Sequence, residues 1–379
     1  MKKLSEVLNY GIGFLFFAML AIGFFAQLLP DQKFSDKENR VLETMPSFSL
    51  ASYLSGNFQE SYQSYTNDQF PLRSEWVQRK TSIDMVAGIR KFQDVYIGDE
   101  NILIQDYEPL SHNKSELIAT SINDFYNRYP DLNTSVMIAP TKVQIESDKL
   151  PKNAPVKSQK RDMQKLSSLL NENIHQVDLI QLMNQHKKEY IYYKSDHHWT
   201  TLAAKYAFDA YLTSTGIEDK KVEYDTYVSN DNFYGTLANR IGYYKAKDII
   251  QIFLPKSEDV KYLVNFKDTN QQVPSIYDSS RQLSTSPYEV FLGGNSPYIE
   301  IDTTVENDRH LLLFKDSYAN CFVEFLLPYY SKITIIDPRY YYDDINELIT
   351  KENVSDILYL YSADTIFSED SLEQVINSK

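Results

Sequence analysis

Apolar positions along the chain follow two different periods. Short apolar runs of strand length lie at 135–139, 177–180, 311–314, 333–336 and 357–361. Segments with helical spacing lie at 116–129, 161–173, 200–212, 318–327 and 343–351. Strands that alternate with helices predict an α/β fold with a mainly parallel sheet and helices on its faces.

Three stretches fall outside this alternation. Residues 51–92 have helical character that Pro71 interrupts, and 95–104 predict a β-hairpin. Residues 214–305 are polar, rich in tyrosine and rich in turn residues. They predict an insertion of loops and antiparallel strands.

The N-terminal segment is apolar without interruption by charge. Residues 7–29 contain no charged side chain, and Lys2 and Lys3 precede them. A helix of this length extends about 35 Å, enough to cross a bilayer core. We therefore expect a retained signal anchor at 1–30 with the body outside the cytoplasmic membrane; a cleaved signal peptide is the alternative.

Composition excludes several classes of protein. The chain has 38 basic and 52 acidic side chains and a net charge of −14, which argues against nucleic acid or anionic lipid as a broad partner. Cys321 is the single cysteine, so neither an internal disulfide nor a cysteine-based zinc cage can form. The 30 tyrosines fit either a tyrosine-rich core or a surface that stacks on sugars.

Two neighbouring histidines mark the first candidate for chemistry. His197 and His198 belong to the phrase KSDHHW at 194–199, between a predicted strand and a predicted helix. Asp196 and His198 project to the same side of an extended segment, and a carboxylate that orients an imidazole is half of a nucleophilic triad. The alternatives are a surface or N-cap cluster, and a metal site.

The metal alternative has weaker support. Its ligands would be Asp196, His197 and His198, with His175 or His186 as a more distant one, and no H-E-x-x-H or comparable spacing exists. We expect no metal and no cofactor.

The second candidate is a serine at the end of an apolar strand. Ser317 lies in LLLFKDSYAN at 311–320, where the strand passes into a helix. A serine at such a turn is exposed and lies near free helix N–H groups. The alternative is an ordinary N-cap serine, and no G-x-S-x-G elbow is present.

Taken together, the two phrases resemble the bacterial DHHW protein family, which is similar to alginate O-acetyltransferase proteins with an SGNH-hydrolase-like domain. Weaker matches to the resemblance, which spans about 95–341, are VYIGDENILI, FYGTLANR, VFLGGN and DPRYY. The resemblance implies a three-layer SGNH-hydrolase-like sandwich. It also implies Ser317 as nucleophile, His198 as base and Asp196 as the carboxylate that orients the base.

Other roles come from the same resemblance. Gly294 and Asn295 are oxyanion candidates beside the Ser317 N–H, with a simple turn as the alternative. Arg240 and Arg339 are candidates for holding an acyl donor or a sugar, or else structural ion-pair partners. SGNH enzymes carry glycine two residues before the nucleophile, where this chain has a lysine at 315.

The predicted domains are an anchor at 1–30, a stalk and helical lead-in at 31–92, and a catalytic domain at 93–379 with the insertion at 214–305. The expected function is an extracytoplasmic O-acetyltransferase that acts on an exopolysaccharide or a cell-wall glycan. A membrane-bound O-acyltransferase is the expected acetyl-donor partner. The alternatives are an acetylesterase with the same triad and a non-catalytic polysaccharide-binding or assembly protein.

Overall fold

The computed structural model describes residues 2–26, 30–35, 40–257 and 259–378. The chain divides into two compact units, one of 1–89 with 239–243 and the other of 90–238 with 244–379. The boundary at 89/90 lies near the predicted start of the catalytic domain.

The first unit is mostly helical. Its elements are α1 (Lys2–Ala26), β1 (Phe34–Ser35), β2 (Arg40–Val41), α2 (Leu50–Leu54), α3 (Asn57–Asp68) and α4 (Arg73–Val86). Leu72, directly after Pro71, adopts φ 55°, and this left-handed residue separates α3 from α4. The break that Pro71 predicts is therefore present.

The N-terminal helix does not support the predicted membrane anchor. Among the residues that the structure describes, no helix is both long enough and apolar enough to cross a bilayer. The last part of the predicted span, 27–29, lies outside the described residues.

The second unit carries the remaining elements. Its strands are β3 (Lys91–Phe92), β4 (Val95–Ile97), β5 (Leu103–Gln105), β6 (Asn133–Ala139), β7 (His175–Gln176), β8 (Tyr224–Phe233), β9 (Asp248–Pro255), β10 (Tyr262–Phe266), β11 (Gln271–Val273), β12 (Tyr298–Thr303), β13 (His310–Lys315), β14 (Lys332–Ile336) and β15 (Asp356–Ser362). The α-helices that begin after β5 are α5 (Lys114–Arg128), α6 (Lys142–Ile145), α7 (Gln159–Leu169), α8 (Leu179–Gln185), α9 (Thr201–Thr215), α10 (Thr236–Ile241), α11 (Val323–Leu326), α12 (Ile345–Glu352), α13 (Ala363–Ser368) and α14 (Ser371–Ile376).

The central sheet is mixed. Its eight strands lie in the order β11-β10-β12-β14-β13-β15-β6-β7. The strands from β14 to β7 are parallel, whereas β11, β10 and β12 add an antiparallel edge. The prediction of a mainly parallel sheet therefore misses this edge. The edge strands come from 214–305, where short connections such as the one from β10 to β11 permit antiparallel pairing.

Helices cover both faces of the sheet because its strands are apolar on both sides. Leu311 and Leu313 pack into one core cluster with side chains of α8 and α9. Leu312 and Phe314, which alternate with them, pack into a second cluster with α5 and α12. Near-continuous apolar runs are typical of strands buried on both faces.

Local predictions had mixed outcomes. The hairpin at 95–104 is confirmed as β4 and β5, and Thr200 caps α9 through a bond from the Ala203 N–H. The predicted strand at 177–180 is wrong. There Asp178 accepts a hydrogen bond from the Gln181 N–H at 3.0 Å and begins α8, so β7 ends at Gln176.

Candidate active site

Ser317 is held by the turn that follows β13. Asp316 caps a 3₁₀ turn over Ser317–Cys321, and its Oδ1 accepts the Tyr318 N–H at 2.9 Å. Its Oδ2 accepts the N–H and the hydroxyl of Ser362, at 3.0 and 2.7 Å, at the end of the neighbouring strand β15. The buried carboxylate of Asp316 therefore ties the serine turn to the sheet. The predicted helix near 318–327 is this turn followed by α11.

The loop before α9 is fastened to the same turn. Trp199 is fully buried, and its Nε1 donates to the Tyr318 carbonyl at 2.9 Å. The Tyr318 hydroxyl donates in return to the His197 carbonyl at 2.5 Å. These reciprocal bonds fix the distance between the two phrases, and Trp199 anchors the loop.

The structure brings Asp196, His198 and Ser317 together. His198 Nδ1 lies 2.6 Å from Asp196 Oδ1, and His198 Nε2 lies 2.7 Å from Ser317 Oγ. Asp196 and His198 are buried, whereas Ser317 is partly exposed. This chain of contacts is the arrangement in which a base can take the proton of a serine hydroxyl while a carboxylate fixes the imidazole.

Backbone groups hold the Asp196 carboxylate in place. Its Oδ1 accepts the His198 N–H at 2.9 Å, and its Oδ2 accepts the Thr236 N–H at 2.7 Å. Burial alone raises the pKa of Asp196, but the imidazoles of His197 and His198 and the bonds from His198 outweigh burial and hold this pKa well below its usual value. Asp196 is therefore ionised at neutral pH.

Gly235 lies directly against this carboxylate. A Cβ at Gly235 would lie 2.2 Å from the Asp196 Cβ, which no packing permits. The Gly235 N–H donates to Ser195 Oγ at 3.0 Å, next to the Thr236 contact. The phrase FYGTLANR thus supports the site through a close backbone approach that only glycine allows.

The His198 imidazole contacts two other rings. The Tyr288 ring is stacked on it, with centroids 3.8 Å apart and planes at 14°. The His197 ring lies 3.9 Å away at 36°. Tyr288 comes from the region 214–305, where no motif of the sequence distinguishes it from the other tyrosines.

A second buried polar cluster lies beside the serine turn. Lys315 is fully buried, and its Nζ lies 2.8 Å from Asn320 Oδ1 and 3.5 Å from Asp337 Oδ2. Arg339 donates to both oxygens of Asp337, through Nε at 2.8 Å and a terminal nitrogen at 2.7 Å. Burial raises the pKa of Asp337, but Lys315 and Arg339 outweigh it and keep the carboxyl ionised.

The other predicted site residues are placed as follows. The Gly294 N–H donates to the Phe291 carbonyl at 3.2 Å, so this amide closes a turn. Asn295 is exposed, and its Oδ1 lies 3.5 Å from Lys315 Nζ. The Arg339 guanidinium bonds to Asp337 as described, and Arg240 lies in the segment 239–243 of the first unit. Substrate-binding roles for these four residues stay predictions.

The same loop has the composition of a metal site. Ligand atoms of Asp196, His197 and His198 lie within 4.8 Å of one another. Both ring nitrogens of His198, however, are in hydrogen-bond contact with Asp196 and Ser317. His186 bonds to Glu189 instead. The geometry therefore matches activation of a hydroxyl better than a ligand set.

Comparisons with known proteins identify the family and the fold. The family model described as "DHHW protein" matches residues 95–336. A DHHW family protein from Eubacterium siraeum has a similar structure, with 25% identity and a TM-score of 0.64, over 75% of this chain and 96% of that one. PatB1 of Bacillus cereus with a sulfonyl adduct is similar in fold, with 18% identity and a TM-score of 0.62, over 73% and 97% of the two chains.

A more distant likeness, with 14% identity and a TM-score of 0.46, is to the O-acetyltransferase domain of Pseudomonas putida AlgJ, over 75% of this chain and 99% of that one. A comparison of the sequence with curated proteins finds no significant match.

Proposed function

The chain belongs to the DHHW protein family, and we propose that it is a serine-dependent O-acetyltransferase with an SGNH-hydrolase-like catalytic unit. The observation that carries the proposal is the continuous contact from Asp196 through His198 to Ser317, at 2.6 and 2.7 Å. A carboxylate that is ionised at neutral pH, an imidazole and a partly exposed hydroxyl are the three groups that acyl transfer through a serine needs.

In the proposed reaction, His198 Nε2 takes the proton of Ser317 as Oγ attacks the acetyl carbonyl carbon of the donor. The bond from that carbon to the donor oxygen breaks, and the proton passes from Nε2 to the departing oxygen. A sugar hydroxyl then gives its proton to Nε2 and attacks the acetyl-serine. Ser317 Oγ departs and recovers the proton, so the enzyme returns to its starting state.

The proposed acceptor is an exopolysaccharide or a cell-wall glycan outside the cytoplasm. Acetyl-coenzyme A is not available there, so the proposal includes a membrane-bound O-acyltransferase that passes acetyl groups outward. The support for this part is the family resemblance of the two site phrases. Cell fractionation tests the location separately from the chemistry.

The experiment that tests the proposal is incubation with p-nitrophenyl acetate, with and without an acetyl-free glycan. Mass spectrometry of Ser317 and of the glycan then follows the acetyl group. We expect acetyl-Ser317 and an acetylated glycan from the native chain, and neither from the Ser317→Ala variant. Release of acetate alone in the presence of several glycans would indicate an esterase. No acetyl-Ser317 in the folded protein would favour a binding protein.

A further inference from the structure

Tyr288 contacts both reactive partners of the proposed site. Its ring lies flat on the His198 imidazole at 3.8 Å and 14°, and its hydroxyl donates to the Ser317 carbonyl at 3.2 Å. One buried side chain therefore touches the face of the base and the backbone of the nucleophile.

The Tyr288 ring has little freedom to move. It lies in the 3₁₀ turn Pro287–Val290 and is 8% exposed. Phe291 packs on it with centroids 5.3 Å apart, and Tyr193 approaches it edge-on at 6.1 Å and 83°. A ring confined in this way restricts the plane of the imidazole that it covers.

The stacking also changes with the charge of the imidazole. The face of an aromatic ring is electronegative and attracts a cation more strongly than a neutral group. During the proposed reaction His198 becomes a cation as it takes the Ser317 proton, so the attraction is greater in the transition state than in the resting state with neutral His198, as catalysis requires.

Other groups around the imidazole also affect its charge. The charged or titratable groups that face it are Asp196, His197, Tyr288 and Tyr318. Asp196 favours the cation from the Nδ1 edge, and a protonated His197 opposes it from the neighbouring ring. Among these groups, Tyr288 is the one that presents a stacked phenol face.

We propose that Tyr288 is a positioning residue for the proposed acyl transfer, which holds the His198 ring towards Ser317 and stabilises its protonated form. The inference rests on the proposed function. The Tyr288 ring stabilises the protonated imidazole, and the Tyr288 hydroxyl has the smaller effect of aligning Ser317 through its carbonyl.

The test measures how fast phenylmethanesulfonyl fluoride modifies Ser317 between pH 5 and pH 9. In this reaction Oγ bonds to sulfur, fluoride departs, and the serine proton passes to the imidazole and then to solvent. Tyr288→Leu removes the ring, whereas Tyr288→Phe keeps it and removes the hydroxyl. Tyr206→Leu is the matched control, because Tyr206 stacks on His186 at 3.8 Å and 19° outside the site.

We expect Tyr288→Leu to slow modification about tenfold at pH 7 and to lower the midpoint of the pH profile by about half to one unit. Tyr288→Phe should keep the midpoint and lose less than about fivefold in rate. Tyr206→Leu should match the native chain. A native rate and midpoint for folded Tyr288→Leu would overturn the inference.

Two further cases are a Tyr288→Leu variant that does not fold and a native chain that is not modified at Ser317. If Tyr288→Leu does not fold, a ring-fluorinated phenylalanine at 288 is compared with Tyr288→Phe. Fluorination keeps the shape and weakens the negative face, so it should lower the midpoint, and an unchanged midpoint would again overturn the inference. If the native chain is not modified at Ser317, the proposed function fails, whatever Tyr288 does.

Discussion

Asp196, on the loop before α9, and Asp337, directly after β14, are both buried carboxylates near the serine turn, and they differ in their partners. Asp337 faces two basic side chains, Lys315 and Arg339; burial lowers the pKa of Lys315, and the Asp337 carboxylate opposes that change. Asp196 faces imidazoles, one of which also reaches Ser317. The first arrangement is a cluster of ion pairs, whereas the second places an imidazole between a carboxylate and a hydroxyl.

The three consecutive residues Lys315, Asp316 and Ser317 show the same division where β13 passes into the serine turn. Lys315 enters the ion cluster, Asp316 caps the turn and bonds to the next strand, and Ser317 alone contacts the imidazole. Lys315, which replaces the expected glycine, thus belongs to a buried ion cluster with Asp337. We therefore expect that changes around Asp196 affect turnover, whereas changes around Asp337 affect stability.

The largest effect is expected at the serine itself. Ser317→Ala should lower acetyl turnover at least about a thousandfold, and His198→Gln should cost a similar factor because the members of a triad act together. The free energy of unfolding should change by less than about 1 kcal/mol, since the partly exposed hydroxyl contributes little to the core. Turnover and urea unfolding are measured on the same preparations.

His186→Gln is the control for this prediction, since it removes an imidazole that bonds to Glu189 instead. Turnover of the control should stay within about twofold of the native value. Full turnover by folded Ser317→Ala would show that Ser317 is not the nucleophile. The expected contrast between a catalytic Asp196 region and a structural Asp337 region would then be wrong.

The next effect concerns the ion cluster. Asp337→Ala leaves the buried Lys315 and Arg339 without their carboxylate, and we expect a loss of about 3–5 kcal/mol in the free energy of unfolding. Adding Lys315→Met should restore part of the loss, because methionine has a similar length and no charge. Chemical denaturation of the two variants checks this, and an unchanged midpoint for Asp337→Ala would contradict a structural role.

A smaller loss of activity is expected at Gly235. Gly235→Ala places a Cβ where the Asp196 side chain lies, so the carboxylate must move, and a displacement near 1 Å costs about a hundredfold in rate. Thr236→Ala is the matched control, because it keeps the backbone N–H that donates to Asp196. Equal turnover by the two variants would show that the position of Asp196 tolerates the shift.

The smallest effect is expected at Glu324, a third buried carboxyl to compare with Asp196 and Asp337. Among the described residues, no cation is a hydrogen-bond partner of Glu324. Burial raises the pKa of Glu324 well above its usual value, and its Oε1 has no hydrogen-bond partner among the described residues. The unfolded chain ionises this group as the pH rises above about 4.3, whereas the raised pKa shifts its ionisation in the folded chain to higher pH. Glu324 therefore lowers stability increasingly as the pH rises.

Glu324→Gln should accordingly raise the free energy of unfolding relative to the native chain at pH 8, and the gain should shrink towards pH 4. Glu218→Gln, at an exposed position, is the control and should show no such trend. Urea unfolding at several pH values checks both. A gain that grows at low pH would contradict a neutral Glu324.

Much of the framework could be predicted from the sequence because it depends on local patterns. Apolar runs of four or five residues predicted the parallel strands β6, β13, β14 and β15, and helical spacing after Thr200 predicted α9 and its cap. At 177–180 two local signals disagree, because the apolar run predicts a strand whereas Asp178 can cap a helix. The structure has the helix α8 there, with Asp178 as its N-cap. The Ser317 phrase could be predicted because the end of an apolar strand places side chains at the rim of a sheet. The Asp196 phrase could be predicted from the spacing of its carboxylate and imidazole, although the strand expected before it is absent and α8 precedes the loop.

Contacts between distant segments were decided only by the tertiary structure. His198 and Ser317 are 119 residues apart in the chain, and their 2.7 Å contact depends on how Trp199 and Tyr318 fasten the two segments together. Antiparallel strands were predicted in the insertion at 214–305 and are present, but their joining to the central sheet and the place of Tyr288 depend on packing. Sequence spacing determines which face a residue occupies within its own element, whereas packing between elements determines what that face meets.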